Sequence, residues 1–212
     1  MDILHWSPRS PYVRKVMVAL HEKGLTDQVR TVRTLADPML PPKAFFAINP
    51  LAKIPTLERE GVMPLWDSRV LLEWADLNSD TGPRLFPAAP ETRLQALSDE
   101  ALGTGMLETG ITLLVERHMR DTERQDLRVF DACLAKFAAA LDYLEANAAR
   151  LAARDFDAGH ISIGVALCYI DFRFGDLAWR SGRPALAAWH ESFAARPSVE
   201  ATTFRDDPRP LQ

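Results

Sequence analysis

Apolar positions change their period several times along the chain. Ile3 to Trp6 is a short apolar run bounded by Ser7-Pro8, which predicts a strand. Val13, Val16, Met17 and Leu20 then recur at i, i+3, i+4 and i+7, one face of a helix. Pro11 suits the first turn of that helix, Ser10 its N-cap and Gly24 its end. Val29, Thr31 and Val32 suggest a second strand, and so compact a strand–helix–strand unit implies a parallel pair with a right-handed crossover. Asp37 to Pro42 (DPMLPP) reads as a loop, and Phe45-Phe46 as a short helical turn. Asn49 to Leu57 leads into a strand, Gly61 marks a turn, and Val62 to Trp66 is the second strand of a hairpin. Asp67-Ser68 opens a helix with an apolar face of Val70, Leu71, Trp74 and Leu77. The order is β-α-β-α-β-β-α, a small α/β sheet with helices on both faces.

From Thr81 to Pro90 (TGPRLFPAAP) the proline and glycine content predicts a linker. The helical period dominates beyond it, over about residues 91–117, 125–151, 161–179 and 184–195. Phe130, Leu134, Phe137, Leu141 and Leu144 form a buried stripe, and abundant alanine favours helix. Gly103, Gly105 and Gly110 interrupt the first of these helices. The predicted organisation is an α/β domain over residues 1–80, a linker over 81–90 and an all-helical domain over 91–212.

Composition narrows the function classes. The 212 residues are 47 % apolar, enough for a sizeable core, and 25 basic against 29 acidic residues give a net charge of −4. A mildly acidic chain without a basic, aromatic-interleaved stripe points away from nucleic acid. No apolar run reaches the roughly 18 residues that span a bilayer. The start, MDILHWSPRSP, has no charged segment followed by an apolar one, so no secretory signal is expected, and with only two cysteines a reducing cytoplasm is the expected setting. Cys133 and Cys168 match no metal or redox spacing and read as small apolar side chains of a reducing compartment. No histidine pair has metal spacing, so no metal is expected. His5 and His118 read as structural or solvent-facing, Glu116, Arg117 and Arg120 as a solvated face, and Trp74, Trp179 and Trp189 as core.

Three motifs then stand out in order: Ser10-Pro11-Tyr12-Val13-Arg14-Lys15-Val16, Asn49-Pro50-Leu51-Ala52-Lys53-Ile54-Pro55, and Asp67-Ser68 before a helix. With the element order, they resemble the glutathione transferases, in particular a bacterial branch with an SPYVRK-type start. Tyr169-Ile170-Asp171-Phe172-Arg173 is similar to that branch as well. The first motif looks like the family's active-site segment, the second its loop before a cis-proline, the third its acidic–serine pair. The resemblance implies an N-terminal thioredoxin-like domain, a C-terminal helical bundle domain and a homodimer. One departure is Asp157-Ala158-Gly159-His160, where the family has Ser or Thr, two residues and Asp; a different local network is expected there, since His160 brings no carboxylate.

The resemblance also implies glutathione as co-substrate and a small electrophile as second substrate. Ser68, at a helix N-terminus, suits the γ-glutamyl carboxylate, and Asp67 the ammonium; a plain N-cap is the alternative for that pair. A cis Ile54-Pro55 bond would present the Ile54 backbone to the cysteinyl peptide, and Lys53 would reach the glycyl carboxylate or stay solvated. A hydroxyl beside the thiol would favour its thiolate; Ser10 fits this position best, with Ser7, three residues earlier, as the alternative. Neither position is cysteine, which favours activation of glutathione's own thiol. The electrophile is expected near Arg9, Met106, Leu107 and Ile111, an apolar set that ordinary packing also explains. A glutathione-dependent peroxidase or disulfide reductase is the first alternative activity, and a non-catalytic binding or regulatory protein of this fold the second.

Overall fold

The computed structural model describes residues 1–206. They fall into two compact units, one built from Met1–Pro87 with the segment from Pro197 onward, the other from Ala88–Arg196. No local pattern assigns the segment from Pro197 to the first unit, because Pro197–Glu200 continues the helical composition of what precedes it.

In the first unit, β1 (Asp2–Trp6) is the central strand of a three-stranded sheet of order β2-β1-β3. It pairs parallel with β2 (Val29–Arg33) and antiparallel with β3 (Thr56–Glu58). The expected hairpin partner, Val62–Trp66, contributes only the single antiparallel bridge of Leu65 to Leu57; Met63-Pro64 stops it from pairing further, since proline has no N–H for the ladder. The expected second helix is a 3-10 turn over Lys43–Ala47, which two prolines before it and Pro50 after it keep short.

α1 (Pro11–Glu22) begins at the expected cap, with Ser10 Oγ accepting from Val13 N–H at 3.3 Å. It is buried over more than the predicted face, Arg14, Lys15, Val18 and Ala19 included. The cause is the chain's last segment: α1 packs both on α2 (Ser68–Leu77) and on a short helix at Pro197–Glu200. The buried face of α2 is Ser68, Leu71, Leu72 and Ala75, which corrects the predicted stripe; Val70 and Leu77 are exposed and Trp74 is half-buried. Both stripes have helical spacing. The buried Asp76 decides between them by turning its side of the helix toward buried Lys23, whose Nζ is 3.2 Å away. Asp76 also accepts from the N–H groups of Leu85 and Phe86, so the linker's first part is tied to this unit. Gly82 permits that path: its φ is +69°, and a Cβ there would lie 2.1 Å from the Glu22 carbonyl oxygen.

The second unit is helical: α3 (Pro90–His118), α4 (Leu127–Ala146), α5 (Ala148–Ala152), α6 (Ala158–Arg173) and α7 (Pro184–Ala194), with Pro197–Glu200 of the first unit as α8. α3 runs unbroken through its three glycines. Gly103 serves its packing on α6, since a Cβ there would sit 2.4 Å from the backbone carbon of Ser162. On α4, Leu134 is 40 % exposed, and Cys133 takes its place in the buried stripe with Phe137, Leu141 and Leu144. Glu116 is also buried, against expectation: it accepts from the Asp126 N–H at 2.6 Å and so fixes the start of α4. Trp179 and Trp189 are core as predicted, and Cys168 is only partly buried.

The start of α6 keeps a reciprocal cap in spite of the missing carboxylate. Asp157 Oδ1 accepts from the N–H groups of Gly159 and His160, and His160 Nδ1 lies 3.2 Å from Asp157 N. Nδ1 is also 2.8 Å from Asp157 Oδ1. The imidazole therefore serves in either state, accepting the N–H when neutral and donating to the carboxylate when protonated. Around this cap, buried Asp99 meets Arg150 through both oxygens, at 2.8 and 2.9 Å, and Arg154 at 2.6 Å. Burial pushes the Asp99 carboxyl up, but bonds from the two arginines outweigh it and hold the pKa below the ordinary value.

Asp99→Ala takes two bonds from Arg150 and one from Arg154, which keeps only Asp157 among the described residues. It is expected to cost about 3 kcal/mol at neutral pH, read as a lower urea midpoint. A carboxyl whose folded pKa is lowered stabilises above its unfolded value of about 3.9 and loses that contribution as pH falls through the folded value. The gap between wild type and variant should therefore narrow below about pH 4.

Candidate functional site

The sheet register brings the three sequence motifs to one end of the first unit. His5 faces Thr56 and Leu57 faces Leu65. Continued by one residue, the β1–β3 register directs Pro55 toward Trp6, and two residues beyond the Leu57–Leu65 bridge the chain reaches Asp67 at the same end. Ser7 follows Trp6, so both serines, the Ile54-Pro55 bond and the start of α2 meet at the same edge. Val13, Ala52 and Ile54 share a buried cluster with Trp6 and Met17 packed against it, which joins the start of α1 to the loop before β3.

Both hydroxyls are half-used. Ser10 Oγ accepts from Val13 N–H and Ser7 Oγ from Arg9 N–H at 3.4 Å. Among the described residues neither donates its own proton, so each keeps an O–H free for an acceptor. Ser7 is 7 % exposed and Ser10 half-buried. They line one small cavity of about 50 Å³ together with Arg14, and its other wall is Thr202, Thr203 and Arg205. That wall is tied to α1 and to the serine loop at several points. Arg14 donates to Val199 O at 3.1 Å and stacks on the Phe204 ring, and Arg205 N–H donates to Pro8 O. Arg9, expected near an electrophile, pairs with Asp206 at 2.6 Å.

The Ile54-Pro55 peptide is cis, as is Trp66-Asp67. Neither the N–H nor the C=O of Ile54 has a hydrogen-bond partner among the described residues. The loop before it is held from inside by Asn49, which is 1 % exposed. Its amide donates to Lys53 O at 3.0 Å and Thr56 Oγ1 at 2.9 Å, while its Oδ1 accepts from Leu51 N–H. Asn49 and Thr56 were missed as positioning residues; the signal was an asparagine preceding a proline loop. Lys53 is exposed, and its ammonium has no partner among the described residues.

Asp67 is the N-cap of α2 and Ser68 its first residue. The Arg69 N–H and the Ser68 hydroxyl both bond Asp67 Oδ1, so Asp67 caps α2, and its Oδ2 stays open among the described residues. The Ser68 N–H, in the first turn, has no intrahelical acceptor. The edge thus offers one open carboxylate oxygen, unpaired backbone donors and acceptors, two hydroxyl protons and an exposed ammonium. Met106 and Leu107 are buried on α3 and Ile111 is half-buried, as helix packing requires. No group of residues suited to a metal occurs among the described residues, and no helix there is long and apolar enough to cross a membrane.

Comparison with known proteins agrees with this architecture. The family model "Glutathione S-transferase, N-terminal domain" matches residues 9–77, and "Glutathione S-transferase, C-terminal domain" matches 128–192. A glutathione transferase family member from Pseudomonas fluorescens Pf-5, solved with bound glutathione, is 38 % identical, with 97 % of this chain and 100 % of that one covered at a TM-score of 0.92. A second structure from that organism, with bound S-(propanoic acid)-glutathione, is 37 % identical over 96 % and 99 % of the two chains, at a TM-score of 0.87. Glutathione S-transferase 3 of Zea mays is 29 % identical over 94 % of this chain and 91 % of its own. The chain belongs to the glutathione S-transferase family, with a thioredoxin-like N-terminal unit and a helical C-terminal one.

Asn49→Ala removes three bonds from the loop before Pro55. A loss of about 2 kcal/mol is expected, with faster amide exchange at Leu51 as its local mark. Unchanged exchange there would mean that the loop holds its shape without Asn49.

Proposed function

We propose that the chain is a glutathione transferase that binds glutathione at the sheet edge of its first unit and presents its sulfur as a thiolate to a small electrophile. The observation that supports this is the register, which ends β1 at the serine loop beside the Ile54-Pro55 bond, together with the hydrogen-bonding capacity left at Ser7, Ser10, Ile54 and Asp67 among the described residues. Asp67 Oδ2 takes the ammonium of glutathione, and the Ser68 N–H at the α2 N-terminus takes the γ-glutamyl carboxylate, joined by the Ser68 hydroxyl when its proton turns from Asp67 Oδ1 to the ligand. The Ile54 N–H and C=O pair with the cysteinyl backbone, and Lys53 meets the glycyl carboxylate. Ser10, or in its place Ser7, donates to the sulfur. The glutathione-bound relatives support the ligand, and the S-(propanoic acid)-glutathione in one of them supports sulfur attack on carbon as the reaction class.

Magnitudes agree. A free thiol has a pKa near 8.5. A hydrogen bond to a charged acceptor contributes about 1.5–3 kcal/mol, or roughly one to two pKa units. The N-terminus of α1 adds about 0.3–1 kcal/mol. The thiol then ionises near neutral pH without a general base. Serine at both positions favours this over a peroxidase or disulfide reductase working through its own thiol. A cytoplasmic homodimer is part of the reading; exposed Phe46, Leu51, Val62, Met63 and Val70 give the first unit apolar surface for a second copy.

Thiolate absorbance of bound glutathione against pH is the test. Ser10→Ala should raise the bound thiol's pKa by about one to two units with little change in calorimetric affinity. A shift in Ser7→Ala alone would move the role to Ser7. Absence of any heat with millimolar glutathione would remove the reading altogether.

A further inference from the structure

Cys168 stands apart on α6. It alone between Asp157 and Ile170 is not buried. Its Sγ lies 3.3 Å from Nε2 of His190 on α7, and His190 Nδ1 lies 3.2 Å from a guanidinium nitrogen of Arg180. A guanidinium only donates, so Nδ1 accepts and the ring proton sits on Nε2, facing the sulfur. Arg180 is held in turn by both oxygens of Asp171, at 2.6 and 2.8 Å, and Asp171 also accepts from Trp179 Nε1. The edge contact of Trp179 and the stacked Phe193 confine the imidazole.

This is a nucleophile with an oriented histidine and a cation behind it, which is more than packing asks of a small side chain. A neutral N–H donor and a nearby guanidinium both favour sulfur as the anion. Asp171, whose charge its two bonds to Arg180 offset, and exposed Glu191 oppose this. Cys133 is the contrast: burial pushes its thiol up.

We propose that Cys168 is a thiolation site for small disulfides of the glutathione disulfide type, a property separate from the transferase reading and independent of it. The Cys168 thiolate attacks one sulfur of the disulfide. A new S–S bond joins Cys168 to that half while the disulfide's own S–S bond breaks. The other half leaves as a thiolate and takes a proton from water; Cys168 is oxidised as the small disulfide is reduced, with no further oxidant.

The rate of alkylation by iodoacetamide, followed by peptide mass spectrometry over a pH series, tests the proposal. Cys168 should titrate below the roughly 8.5 of a free thiol and react at neutral pH about tenfold or more faster than Cys133. His190→Phe, which keeps a ring in the stack, should slow it about tenfold at neutral pH by raising that midpoint one unit. Arg180→Met, at a half-exposed position, should shift the midpoint in the same direction and serves where the His190 variant does not fold. Glutathione disulfide should add one glutathionyl group at Cys168, removable by dithiothreitol. A midpoint at or above that of a free thiol, a profile unmoved in the folded variants, or addition at Cys133 first would overturn the proposal.

Discussion

Antiparallel pairing of β1 with β3 is the constraint on which the candidate site rests. Side chains alternate across a strand, so a slip of one residue would turn Leu4 and Leu57, both almost fully buried, toward the wrong side. The same slip would part Trp6 from Pro55 and with it the serine loop from the Ile54 backbone. Polar bonds lock the register as well. His5 reaches diagonally to Glu58 at 2.6 Å and across to Thr34 at 2.7 Å, so one ring ties β1 to both neighbours. Asn49 then fixes Thr56 at the very start of β3. His5 is in this sense structural, and its structural task is what holds the edge together.

The parts of the fold that repeat were legible. The α1 cap at Ser10, the parallel β1–β2 unit and the long helices of the second unit follow from spacing and from capping chemistry. What spacing left undetermined was a choice between stripes with the same period. Leu134 and Cys133 compete for one face of α4, as Val70 and Leu72 do on α2, and tertiary partners decide. Residues without a period were opaque: the last segment joins the first unit through contacts such as Arg14 to Val199 O and Arg205 N–H to Pro8 O, which no local pattern announces. Of the site, the order of the three motifs was readable, and the way Asn49 and Thr56 hold the middle one was not.

Glu116 reads in the sequence as part of a solvated face, yet it is buried, and so are Asp76 and Asp99, on which the sequence pattern is silent. Asp76 and Glu116 accept from backbone N–H groups at points where the chain leaves regular structure: Leu85 and Phe86 for the former, Asp126 for the latter. A turning chain carries donors that helix and sheet do not satisfy, and a carboxylate is a compact way to meet two of them at once. Asp99 does the related task for Arg150 and Arg154, the second of which also holds Asp157 at the α6 cap. These charges organise the irregular segments, which is where periodicity is silent.

Ser10 raises the question of whether capping and thiol activation exclude one another on the proposed reading. Both use a single oxygen, but in opposite senses. The cap consumes a lone pair, through a bond from Val13 N–H that is long at 3.3 Å, and leaves the proton unassigned. A thiolate needs only that proton. Accepting from a helix N–H polarises the hydroxyl toward donation, so the two bonds reinforce each other. The helix end that requires a cap is also the end whose field favours an anion. A cysteine at that position would instead put a second thiol where glutathione's sulfur must lie, and the chemistry would pass to the protein. On the proposed reading serine keeps the nucleophile on the ligand, and with Ser10 in that role one residue both starts the helix and steadies the sulfur.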